Sequence, residues 1–154
     1  MDTHTKNWGP KNTRHMPLRL FLAASSLLLV TACRTTPMTQ KLLEGSVPVE
    51  AGKYWTTTFT VDHSMTGPRI SGQFRASGGQ GNDIVAVVAD SDQFENWING
   101  HPATVVYESG QVTFGSIDKI LVPGKYTLGF SNKFSVISDK TVSGSVELRY
   151  EVSR

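Results

Sequence analysis

Two kinds of apolar pattern divide the chain. Leu20–Val30 is one continuous run of apolar and small residues. From Leu42 onward, apolar positions mostly alternate with polar ones and are rich in β-branched and aromatic types, which predicts strands. Tyr54–Val61 (YWTTTFTV) predicts a strand with a half-exposed face. Arg69–Ala76 sets Ile70, Gly72, Phe74 and Ala76 on one side, and Ser77–Asn82 (SGGQGN) predicts a turn. Ile84–Ala89 (IVAVVA) is apolar throughout and predicts a central strand covered on both faces. Val105–Tyr107 and Gln111–Ile117 predict a hairpin about Ser109–Gly110. Pro123–Gly124 predicts a turn, followed by a strand over Lys125–Asn132 with Tyr126, Leu128 and Phe130 on one side. Val142–Val152 predicts the last strand. One short helix is expected, with Asp92 as N-cap, Glu95 at N3 and Asn99–Gly100 at its end. Phe94 and Trp97 would share one of its faces. Seven or eight short strands at this spacing predict an all-β fold, an antiparallel β-sandwich with one helical turn.

The front of the chain carries a different message. Leu20–Val30 is too short to cross a bilayer, which takes about 20 apolar residues. Basic residues precede it and small residues follow it, the layout of a secretory signal segment. Met16 makes a more natural start than Met1. Val30-Thr31-Ala32-Cys33 resembles the bacterial lipobox, whose cysteine becomes the first residue of the mature protein and carries a diacylglyceryl group. Val30 and Ala32 also suit the ordinary signal peptidase. Acylation, however, accounts for the single cysteine of an exported chain. The resemblance implies removal of residues 1–32 and lipidation of Cys33. Residues 33–41 then read as a tether (RTTPMTQK from Arg34), and residues 42–154 as the domain. Arg34 rather than Asp follows the cysteine. By likeness to enteric lipoproteins this favours the outer membrane of a bacterial cell envelope, facing the periplasm.

Removing the front also changes the charge. Of 15 Lys and Arg, four (Lys6, Lys11, Arg14, Arg19) precede the run, and of 13 Asp and Glu one (Asp2) does, which leaves 11 against 12 and a net of −1. The domain therefore offers no basic footprint for nucleic acid and no polybasic patch for a membrane.

Two further segments resemble the GOLD domain, a β-sandwich of early-secretory cargo receptors and some lipid-transfer proteins. The first is Ile70-Ser71-Gly72-Gln73-Phe74 with Gly78-Gly79-Gln80-Gly81-Asn82-Asp83-Ile84. The second is Pro123-Gly124-Lys125-Tyr126-Thr127-Leu128, then Phe130 to Ser135, then Lys140-Thr141-Val142. Their order and spacing run from about Val47 to Glu151. The resemblance implies a sandwich that binds proteins or lipids without catalysis. Gly72, Gly78, Gly79, Asn82, Asp83, Pro123, Gly124 and Asn132 are its motif positions. The receptors' disulfide has no counterpart here, since Cys33 stands alone, so their trafficking role does not carry over.

Candidate chemistry is sparse. SGGQGN precedes a strand and no Lys follows it, unlike a phosphate loop. Turn formation at Gly or Asn explains it better. Asp83 and Asp90 flank one extended strand and stand roughly 23 Å apart, too far to share a calcium ion. Asp90, Asp92 and Glu95 are closer, but helix capping explains the last two more simply. Asp83 and Asn132 sit beside turns, where side-chain bonds to nearby backbone are the simple reading. His63 and His101 fall in separate loops and no Gly-x-Ser-x-Gly elbow is present, so a small hydrolase ranks last. No metal or cofactor is expected.

The expectation is a lipid-anchored envelope module that binds another envelope protein. The alternative is a carbohydrate- or lipid-binding module using an aromatic face with Trp97 and Phe94. Its first test is chemical: cells fed labelled palmitate should label the wild-type chain, and Cys33→Ser should remove the label completely.

Overall fold

In the computed structural model, described over residues 34–79 and 81–153, Phe74 lies at the centre of the packing. It belongs to β3 in a chain of eight described strands and one helix. These are β1 (Thr35–Val49), β2 (Tyr54–Val61), β3 (Met65–Ser77), β4 (Ile84–Asp90), α1 (Ser91–Ile98), β5 (Tyr107–Val112), β6 (Phe114–Ile120), β7 (Gly124–Ser131) and β8 (Lys140–Ser153). They form two four-stranded sheets, ordered β1-β8-β3-β6 and β2-β7-β4-β5. Every neighbouring pair is antiparallel.

The period-two pattern explains the core. Ile70, Phe74, Ile117, Val142, Val146 and Leu148 face inward from the first sheet, and Phe59, Ile84, Ala86, Val88, Leu128 and Phe130 from the second. Phe74 meets Phe130 edge-on across the interface, with ring centres 5.1 Å apart, a geometry that suits the ring quadrupoles. Glycines make room for it. The register sets Phe74 opposite Gly115 on β6 and Gly144 on β8. A Cβ on Gly115 would enter the Phe74 ring, and one on Gly144 would lie 2.8 Å from the Phe74 Cα and closer still to the Gln73 carbonyl.

The apolar run of β4 is covered on both faces, as its pattern predicts. Ile84, Ala86 and Val88 enter the main core. Val87 and Ala89 face the other way, under Phe94 of α1. Gly129 of β7 completes this second cluster, since a Cβ there would stand 2.6 Å from the Phe94 ring.

Four local expectations are corrected. Thr35–Lys41, read as part of a tether, is the first half of β1 and pairs with Glu147–Ser153 of β8. It lies on an exposed edge, where few side chains are buried and Pro37 is tolerated, so its composition resembles that of a linker. A bulge then turns both Leu42 and Leu43 into the core. Secondly, β5 and β6 do not pair. β5 joins β4 in the second sheet and β6 joins β3 in the first, with the chain crossing between them at Thr113. Ser109–Gly110 is a bulge within β5, where Ser109 Oγ accepts the Ala86 amide at 2.8 Å. Thirdly, the helix begins earlier. Asp90 is its N-cap, accepting the Asp92 amide at 3.0 Å. Glu95 thus falls beyond N3, and the predicted capping box does not form. Fourthly, Asn132 acts through bonds across the fold, as described below. Cys33 and the apolar run before it lie outside the described residues.

Packing around Gly144 gives a direct test. Gly144→Ala should lower stability by about 1–3 kcal/mol through overpacking, read as a lower urea midpoint. Ser145→Ala, next along the strand and exposed, should stay within about 0.5 kcal/mol of the wild type.

Candidate functional site

Antiparallel pairing gathers the connections at two ends. One end holds the β1–β2, β3–β4 and β7–β8 connections, because Val49 pairs with Lys140 and Tyr54 with Ser131. The other end holds Thr35, Ser153, the β2–β3 turn and the β6–β7 corner. The candidate site is at the first end. It is a cleft of about 600 Å³ lined by Gly79, Asp83, Phe134, Ser135, Ile137, Ser138 and Lys140.

Ser138 of that lining is held by Asn132, which is fully buried. The Asn132 Nδ2 donates to the carbonyl oxygens of Val49 at 3.2 Å and Ser138 at 2.8 Å. Its own amide donates to Lys53 O at 2.8 Å, and its carbonyl accepts from Gly52 and Ser135, each at 3.1 Å. One residue therefore fastens two loops together. Among the described residues its Oδ1 has no hydrogen-bond partner.

The wall beside it is the glycine-rich turn. Asn82 takes a positive φ of 47° and accepts the Gly78 amide on its Oδ1 at 2.9 Å, as expected for a turn of this composition. Gly79 also takes a positive φ, 68°, and a Cβ there would run into Ser138 of the facing loop. Asp83 does not cap the turn. Its carboxylate faces the Lys140 ammonium at 3.5 Å, with the Lys140 side chain only 2% exposed. A buried cation of this kind needs anionic and polar company, and its pairing closes the junction between β4 and β8.

The rim is apolar. Phe134, Val136 and Ile137 are 38%, 89% and 91% exposed. The stems of their loop are braced. The Lys133 ammonium donates to Ile98 O, at the helix C-terminus, at 3.0 Å, where a cation is favoured. Ser135 Oγ donates to Ser138 O at 2.8 Å. Asp139 accepts the Ala51 amide at 2.8 Å. An apolar tip on fixed stems is suited to contact with another molecule.

The sequence-derived positions are only partly brought together. Gly79 and Asp83 line this cleft, Gly78 and Asn82 complete the turn that carries Gly79, and Asn132 holds Ser138 of the facing loop. Gly72 lies within β3, where a Cβ would strike the backbone of Ser145. Pro123 and Gly124 lie at the far end. Phe94 is 3% exposed and packs on β4 and β7, so it is a core residue and not a contact for ligand. Trp97 is half-buried against it, with ring centres 6.0 Å apart, and lines none of the clefts described here. His63 and His101 fall at opposite ends, in the β2–β3 turn and just after α1. Among the described residues no three His, Cys, Asp or Glu side chains converge as a metal site. Sequence reasoning does not single out Val136 and Ile137, and it includes Lys140 only as part of a motif segment. A sequence does not say which apolar residues of a loop are left uncovered.

Asn132→Asp replaces a buried amide donor with a carboxylate aimed at two carbonyls. A loss of about 2–4 kcal/mol at pH 7 is expected. Burial raises the folded-state pKa of the new acid above its unfolded value near 3.9. The deficit should therefore be fully present at neutral pH and shrink as pH falls through the folded value, where the carboxyl regains a proton to donate. Urea midpoints at pH 7 and near pH 4 measure this. Compared with models of known protein families and with curated protein sequences, the chain matches none.

Proposed function

We propose that this protein is a lipid-anchored binding module of the bacterial cell envelope, a GOLD-like sandwich held by Cys33 on the periplasmic face of the outer membrane, with no catalytic role. The reading is supported by the signal-like front, the single cysteine and the site just described. The observation that carries it is the opposition of the two ends. β1 runs from Thr35, two residues after Cys33, to Val49 beside the candidate cleft. Its fourteen steps span roughly 45 Å at about 3.3 Å per residue. A sandwich anchored at Cys33 would hold Phe134, Val136 and Ile137 well clear of its own bilayer. Their partner is then another envelope component, and a braced apolar loop beside a polar cleft suits a protein surface.

A second reading has its own observation. The outer face of the first sheet carries a shallow cleft of about 450 Å³ lined by Gln73, Arg75, Phe114, Ser143 and Ser145 side chains. Phe114 is 52% exposed. An exposed ring among hydroxyl, amide and guanidinium groups suits a glycan, which moves the aromatic-face alternative from Trp97 to Phe114.

Photocrosslinking from position 136 in living cells separates the two. The expected result is one reproducible protein adduct at native expression, lost in Ile137→Asp and kept in Phe114→Ala. Absence of any protein adduct overturns the protein-binding reading. Glycan retention that depends on Phe114 and ignores Ile137 puts the second reading in its place.

A further inference from the structure

The β6–β7 corner, Lys119–Lys125, uses alternate residues in opposite ways. Leu121 is 4% exposed and belongs to the core, while Ile120 and Val122 beside it are 71% and 68% exposed. The backbone between them is fixed. The Leu121 amide donates to Pro68 O at 2.9 Å. The Val122 carbonyl accepts the Tyr126 hydroxyl at 2.9 Å. Tyr126 is itself buried and stacked on Phe59, ring centres 5.7 Å apart.

Two physical consequences follow. These two backbone groups already have protein partners, so moving the corner into a water-poor layer strands neither of them. A corner held in place also loses little conformational freedom on contact. Lys119 and Lys125 bracket the apolar pair and are exposed or nearly so. Their long stems allow the ammonium groups to stay among headgroups while the aliphatic side chains sit deeper.

The corner lies at the anchor end. Ile120 pairs with Arg69, Arg69 with Arg149, and Arg149 with Thr39. Ile120 is thus level with a residue four positions from Thr35, about 13 Å along the strands, and three strand spacings, about 14 Å, across the sheet. Cys33 is two residues before Thr35 and reaches at most about 7 Å further. By these spacings, a tilt of the strands by roughly 45° from upright brings Thr35 and Ile120 to one level.

We infer that Ile120 and Val122 form a second, non-covalent contact with the bilayer that holds Cys33, inserting at the boundary between headgroups and acyl chains. This rests on the lipid-anchor reading. An anchor at one point leaves a domain free to swing. A second contact about 20 Å away by the same strand spacings fixes its tilt and points the opposite end, with Val136 and Ile137, away from the surface.

The test uses the processed, acylated protein in phosphatidylethanolamine–phosphatidylglycerol vesicles with brominated acyl chains, which quench tryptophan on contact. Ile120→Trp and Val122→Trp report from the corner and Val136→Trp from the far end, each as the difference from wild type. All three positions are exposed, and the two corner variants back each other should one fail to accumulate. The expected result is a blue-shifted, strongly quenched signal from the corner and no added quenching at position 136. An anchored protein with no quenching at the corner, or equal quenching at both ends, overturns the seat and leaves the anchor standing. A protein that takes up no palmitate and washes off the vesicles overturns the anchor reading and this inference together.

Discussion

The fold depends on a close approach of two backbones. At Gly72 and Gly144 the central strands β3 and β8 stand nearer than side chains permit, since a Cβ at either glycine would overlap the other strand's backbone. Drawing β3 toward β8 sets Phe74 beside Gly144, with Gly115 on its other flank. Its ring has a single direction left, into the sandwich, and there it meets Phe130 of the opposite sheet. The first sheet is therefore locked to the second through one aromatic contact, which three missing side chains make possible. Cross-strand aromatic pairs steady the second sheet itself. Trp55 packs on Phe130 with ring centres 5.9 Å apart, and Phe59 on Tyr126. A small domain gains much of its burial energy from such rings.

Polar contacts then finish the edges that the core does not reach. Along β1 and β8 the first sheet has no cover outside, and charge takes over. Glu147 lies between Lys41, at 2.8 Å, and Arg149. The hydrogen bond from Lys41, then that from Arg149, holds the Glu147 carboxyl below its ordinary range. At the loop end Asn132 does comparable work with neutral groups, joining β1 to the β7–β8 loop. The two ends of the sandwich thus differ in kind. One is a polar cleft with an apolar rim on a braced loop. The other is a corner held by two hydrogen bonds, from the Leu121 amide and to the Val122 carbonyl.

Legibility followed the same division. Residues with a strong inward pattern were readable: β2 matches its expected span, and the double burial of β4 follows from six apolar residues in a row. Pairing was less so. Val105–Ile117 looks like a hairpin because Ser109–Gly110 has turn composition, but the same pair also makes a bulge, and only the sheets decide between them. Thr35–Lys41 reads as linker because an edge strand needs hydrogen bonds from its neighbour and little burial, and hydrogen-bond partners leave no mark on composition. At the site, the turn residues Gly78, Gly79 and Asn82 were visible from their chemistry. The role of Asn132 was not. Its bond to Val49 spans 83 residues, and only tertiary structure makes it a fastener between loops where sequence suggests a local turn bond.

These features bear on how a small sandwich, read as a binding module, could act. A binding surface needs to be held still relative to its partner, or orientational freedom is paid back on association. Within the domain, Asn132 and the Asp83–Lys140 pair remove that freedom between the apolar loop and the sheets. Between domain and membrane, a single flexible attachment would restore it. In the proposed anchored state the β6–β7 corner would answer the second problem as Asn132 answers the first, by fixing backbone through a buried side chain, here Tyr126. Stiffness at both ends of a rod of strands lets an anchor at one end define where the other end points.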